Sequence, residues 1–97
     1  MPSAGARFLR QRLLAQMAGM RHGRLVITDA LGMVELGTPA AQHPALNVHI
    51  EILDAGFYRA VAANGSVGAG EAYMDGIWRC DNLVALIQLL VRNRDLL

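Results

Sequence analysis

From Ala4 to Met20 the apolar residues Leu9, Leu13, Met17 and Met20 recur at helical spacing, with Leu14 and Ala18 widening the stripe. This pattern predicts an amphipathic helix, ended by Arg21-His22-Gly23. Leu25 to Thr28 and Met33 to Leu36 then read as two short strands. The loop Asp29-Ala30-Leu31-Gly32 between them has an acid early and a glycine last, which suits a hairpin turn. Pro39 and Pro44 bar regular pairing, so Gly37 to Pro44 is expected to be a loop. Next comes strict alternation: Leu46, Val48, Ile50 and Ile52 against Asn47, His49 and Glu51. It predicts a strand with one buried face, and points to an antiparallel sheet covered on one side rather than a doubly wound parallel one.

The second half of the chain reads as shorter pieces. Asp54 is placed to cap a helix that carries Phe57 and Val61 on one face and closes at Asn64-Gly65. A second short helical pattern closes at Asp75-Gly76, and Ile77 to Cys80 reads as a strand. Asp81 is expected to cap a last helix, in which Leu83, Leu86, Ile87, Leu90 and Val91 form an apolar face broad enough to imply burial on two sides. Arg92 and Arg94 follow near its C-terminus, where positive charge favours the helix dipole. The fold class predicted is α+β: a single domain over residues 1–97, with a small antiparallel sheet of three to five strands and helices on one face.

Composition narrows the picture. The chain has 97 residues, 54% of them hydrophobic, so one packed core is expected and a surplus of apolar surface is available to a partner. A net charge of +1 and scattered aromatics supply neither the basic field nor the stacking platform that nucleic acid requires. The longest apolar run, Leu83 to Val91, contains Gln88 and falls short of the ~18 residues of a membrane span. Cys80 is the only cysteine and no secretion-signal pattern opens the chain, which points to a reducing cytoplasm. Charge is uneven, because five arginines precede the first acid, Asp29. Arg7, Arg10 and Arg12 on the first helix are therefore candidates to face an anionic membrane surface, against the plainer reading of a solvated helix face.

The least generic stretch is Gly65-Ser-Val-Gly68-Ala-Gly70-Glu71-Ala-Tyr73-Met74-Asp75-Gly-Ile-Trp78-Arg-Cys80-Asp81. Three glycines in six residues weaken a helix by roughly 1 kcal/mol each, so close approach of a backbone, ligand or partner is expected there. This stretch resembles the N-terminal domain of bacterial cyclopropane-fatty-acyl-phospholipid synthases and related S-adenosylmethionine-dependent methyltransferases. The likeness continues more weakly from about Arg21 to Asp95. Ile77, Ala69 and Arg79 depart from the family pattern. The resemblance implies a non-catalytic accessory domain that docks on a methyltransferase catalytic domain and helps it act on phospholipid acyl chains at the inner face of the membrane. Gly68, Gly70, Glu71, Tyr73, Met74, Asp75 and Trp78 would form the docking or lipid-facing surface. S-adenosylmethionine would belong to the catalytic domain, with no cofactor expected in this chain.

Chemistry within the chain is sparse. Gly68-x-Gly70 follows a helix cap rather than a strand and is no nucleotide fingerprint. His22, His43 and His49 are dispersed and suggest no metal site, while Cys80 reads as a half-buried structural thiol. Glu71 and Asp75 lie four apart, as a carboxylate pair would, yet no nucleophile or acid partner accompanies them. Two other functions fit the same pattern. The order of elements is similar to sterol-carrier-type domains, which enclose an apolar cavity, and the apolar surplus would equally serve a homodimer.

Overall fold

The computed structural model describes residues 3–38 and 46–96, so Pro39, His43 and Pro44 of the expected loop lie outside the described residues. Helix α1 spans Ala4–Gln16, opened by the Ser3 hydroxyl, which accepts the N–H of Ala6 at 3.1 Å. It is shorter than its hydrophobic pattern. Met17 takes the C-cap and Met20 closes a tight turn on the Met17 carbonyl at 3.1 Å. Both methionines are still buried, because apolar spacing reports which side chains face the core and not where helical hydrogen bonding stops.

Among the described residues four strands follow: β1 (Arg24–Asp29), β2 (Gly32–Gly37), β3 (Asn47–Ile52) and β4 (Trp78–Cys80), in the spatial order β2-β1-β3-β4. The hairpin is tighter than a four-residue loop. Asp29 pairs with Gly32, leaving Ala30-Leu31 as the turn, and Asp29 Oδ1 accepts the Leu31 N–H at 2.9 Å. The sheet is mixed rather than antiparallel throughout, since its central pair, β1 and β3, runs parallel. Gly37 and Asn47 both register with Arg24, so the chain leaves β2 and enters β3 at the same end of β1. Stepping over one strand in this way makes β3 antiparallel to β2 and hence parallel to β1. Alternation in β3 reports only that one face is covered, and parallel strands covered on one side alternate equally well.

The covered face carries Leu25, Ile27, Leu36, Val48, Ile50, Ile52 and Trp78, all buried. The other face is polar and laced by side chains: Arg24 with Glu35, Arg79 with Glu51 at 2.7 Å, and Thr28 with His49 at 2.7 Å. His49 is thus on the open face, as expected.

Helix α2 (Gly56–Met74) starts where Asp54 Oδ1 accepts the Gly56 N–H at 2.7 Å. Gly65 interrupts it with φ 56° and ψ −131°, a conformation that side chains exclude, so two helical segments meet at the glycine as the sequence predicts. Its end is a Schellman motif. The Ile77 N–H reaches the Ala72 carbonyl at 2.9 Å, the Gly76 N–H reaches Tyr73 at 3.1 Å, and Gly76 has φ 74°.

Helix α3 (Leu83–Arg92) is capped by Asn82, which accepts the Ala85 N–H at 3.0 Å, and not by Asp81. Asp81 instead extends the β3–β4 pairing, its carboxylate accepting the His49 N–H at 2.9 Å while its own N–H reaches the His49 carbonyl. Two adjacent cap-type residues compete here, and the sheet takes the first. Burial on two sides does not occur: Ala85, Leu86 and Leu89 are buried, whereas Leu83, Val84, Ile87 and Val91 are exposed. Beyond the helix, buried Asn93 accepts the Arg21 N–H at 2.6 Å and donates to the Arg21 carbonyl at 2.7 Å and the Leu89 carbonyl at 2.9 Å. This joins the end of α3 to the turn before β1.

Candidate functional site

The glycine-rich segment is the second part of a helix kinked at Gly65, and it has two different faces. After the break at Gly65, the inner face of the second segment presents Gly68 and Ala72, four apart and both buried. Gly68 passes so close to the Ala60 carbonyl of the first segment that a Cβ would collide with it. Here the expected close approach is met within the chain itself. Trp78 completes this packing: its indole N–H donates to the Ala69 carbonyl at 2.8 Å, and its ring meets Phe57 at 5.8 Å and Tyr73 at 5.0 Å edge-on. Trp78 is therefore a core residue that fastens the segment to the sheet, and not an exposed anchor, because its ring packs on Phe57 and Tyr73 and its N–H is satisfied by the Ala69 carbonyl.

The outer face is a ridge of Val67, Gly70, Glu71 and Met74, related by helical spacing and all exposed. Val67 is 65% and Met74 79% exposed, with Gly70 between them facing open space. Tyr73 lies at the margin, one edge on Trp78 and the rest toward solvent. Asp75 is exposed at the helix C-cap. The sequence thus brings Gly70, Glu71, Met74 and Tyr73 to one surface, while Gly68 and Trp78 support it from beneath.

The arginines of α1 divide in the same way. Arg7 and Arg12 are exposed, and Arg12 lies over the Phe8 ring at 5.8 Å. Arg10 is turned inward, its Nε donating to Asp29 Oδ2 at 2.6 Å, with side-chain exposures of 15% and 6%. Tyr58 donates its hydroxyl to the same oxygen at 2.5 Å. Sequence reading missed this triad, whose members are 19 and 29 residues from Asp29 and share no motif. The one available signal was an acid at a hairpin turn following a run of unpaired arginines.

Electrostatically the triad is locked. Burial pushes the Asp29 carboxyl up, but the hydrogen bonds from Tyr58, Arg10 and the Leu31 N–H outweigh it and hold the group below its ordinary 3.8. Burial, with the Asp29 hydrogen bond and charge, raises the Tyr58 phenol. The hydrogen bond to Asp29 raises Arg10 further against the effect of burial. An ionised acid and a phenol both held in their resting forms make poor proton-transfer groups near neutrality, so the triad acts as a clasp between α1, β1 and α2. It borders a pocket of about 30 Å³, also lined by Ala6, Leu31, Ile52 and Leu53, which has room for a water or two and not for an acyl chain. Burial likewise raises the Cys80 thiol, which favours its protonated form. Among the described residues no group of three His, Cys, Asp or Glu side chains is spaced to hold a metal, and no helix is long and apolar enough to cross a membrane.

Comparison with known proteins gives a partial relation. The chain is similar to the cyclopropane-fatty-acyl-phospholipid synthases of Escherichia coli strain K12 and of Escherichia coli O6:H1 strain CFT073, 40% identical over 43 residues in each case. The matched stretch is 44% of this chain and 11% of either synthase. No family profile matches the chain, and no solved structure does.

Proposed function

We propose that this chain is a non-catalytic accessory domain of a cyclopropane-fatty-acyl-phospholipid synthase-like methyltransferase. It docks on the catalytic domain and helps that domain work on phospholipid acyl chains at a membrane surface. The relation to the synthases over 43 residues supports the reading, and the observation that carries it is the ridge Val67-Gly70-Glu71-Met74. Two apolar side chains, Val67 and Met74, stand in solvent on either side of a glycine, on a helix held from below by Trp78. A gap between two apolar knobs is a shape that a protruding side chain of another domain fills. S-adenosylmethionine binding and methylene transfer fall to the catalytic domain, encoded in the same chain or separately. Arg7 and Arg12, with Phe8, form the lipid-facing part, and Arg10 is committed to Asp29.

The test combines this chain with the methyltransferase domain of its own source organism and follows methylene transfer to vesicles of unsaturated phospholipid. Gly70→Trp fills the gap from outside, where nothing stands in its way, and Met74→Asp charges one knob. Both variants are expected to bind the catalytic domain at least tenfold more weakly, a loss of about 1.4 kcal/mol, and to lose the stimulation while S-adenosylmethionine affinity stays unchanged. Undiminished stimulation by both folded variants would show the docking assignment to be wrong.

A further inference from the structure

We infer that the α2 ridge recognises a basic segment of its partner, in which an arginine stands beside the apolar side chain that enters the Gly70 notch. This rests on the docking reading and adds to it the chemistry of the partner. The chain has eight acidic residues, and the fold engages six of them. Asp29, Glu35, Glu51 and Asp95 belong to ion pairs, Asp54 accepts the Gly56 N–H at the start of α2, and Asp81 accepts the His49 N–H. Glu71 and Asp75 are the other two. Both are exposed, and neither has an ion pair or a side-chain hydrogen bond among the described residues.

Their place on the helix is unfavourable for the fold itself. They lie four apart, where like charges repel, and in the last turn and C-cap of α2, where the negative end of the helix dipole disfavours acids. No basic residue stands in that last turn to offset them. Glu71 is four positions after Val67 and three before Met74, so it borders both apolar knobs, and Asp75 continues the row. A partner side chain entering the notch therefore meets two unpaired carboxylates within a turn of its apolar contact. One planar guanidinium matches them, with N–H donors enough for both. An anionic phospholipid surface is the opposite case, because the same carboxylates repel it. The ridge is thus a protein-facing surface, and lipid contact is left to Arg7, Arg12 and Phe8 on α1.

Isothermal titration of this chain with the methyltransferase domain of its own source organism, at about 50 mM and about 500 mM NaCl, tests the inference. Affinity is expected to fall about tenfold between the two, as salt screens the charged contact. Glu71→Gln with Asp75→Asn should weaken binding about tenfold at low salt and remove most of the salt dependence, and Glu71→Arg with Asp75→Arg should weaken it about a hundredfold. Thermal denaturation of the free chain is the second readout. The neutralised variant should melt at a higher temperature than the unaltered chain, because the repulsion it relieves serves no contact within the fold. Binding that neutralisation leaves unmoved, or a lower melting temperature, overturns the inference. So does binding that EDTA abolishes, since a divalent cation would then occupy the carboxylates. Binding of the chain to phosphatidylglycerol vesicles that Met74→Asp abolishes overturns it too, by making the ridge a lipid contact. The docking reading fails separately, if the unaltered chain does not bind or if Gly70→Trp and Met74→Asp leave binding unmoved. Loss of binding in those two variants, with no effect of the charge variants, keeps docking and rejects the basic partner.

Discussion

Asn93 shows how much one buried polar side chain can hold. It is 1% exposed, and its amide answers both main-chain groups of Arg21 as well as the Leu89 carbonyl. Asn93→Ala removes all three bonds and takes from the Arg21 N–H and carbonyl the side-chain partner they share. A loss of about 2–4 kcal/mol is expected, read as a lower midpoint in urea denaturation with an unchanged slope. The Asp29 clasp makes a second prediction, in pH. Asp29 is held below its ordinary 3.8, so its contribution is complete above that value and is lost as pH falls through the folded-state pKa. Tyr58 is raised above its ordinary 10.0, so its contribution is complete below that value and is lost as pH rises beyond it. Stability should therefore form a plateau between the two, measured by denaturation across pH. Tyr58→Phe should flatten the alkaline fall and soften the acid one. It should also lower the plateau by about 2 kcal/mol, the scale of a hydrogen bond to a charged group.

At the scale of the element, the three glycines of α2 do three different things, and substitution to alanine separates them. Gly65 has φ 56°, where alanine is strained, so Gly65→Ala should destabilise by about 1–3 kcal/mol although space is open around it. Gly68 has ordinary helical backbone but touches Ala60, so Gly68→Ala should force the two segments apart at a similar cost of about 1–3 kcal/mol. Gly70 has neither constraint, and Gly70→Ala should stabilise by up to about 1 kcal/mol through helix propensity. Thermal denaturation of the three variants should reproduce that order of signs. Glycine at 70 is thus unfavourable for the fold itself, which is consistent with a surface kept low for a partner. The sequence showed that these glycines needed a reason; only their surroundings distinguish a backbone conformation, an internal contact and an open notch.

For the whole molecule, one mixed four-stranded sheet carries its helices on one face and leaves a polar face open. The pocket beside the Arg10–Asp29–Tyr58 clasp measures about 30 Å³. A fluorescent fatty-acyl probe is accordingly expected not to bind the isolated chain stoichiometrically in a fluorescence titration. One-to-one uptake would favour the sterol-carrier-like alternative.

What the sequence determined by itself is whatever depends on neighbours in the chain. The α+β class, the alternating strand over Asn47–Ile52, the break at Gly65 and the stop at Gly76 all follow from periodicity and local backbone preference, which act over a few residues. Tertiary structure decided everything that depends on which distant segments meet. It set the parallel pairing of β1 with β3, drew Asp81 into the sheet and left capping to Asn82. It turned Arg10 toward Asp29 and Trp78 into the core. It also left one side of α3 in solvent. Periodicity marks a residue as apolar or charged with no information on what stands opposite it.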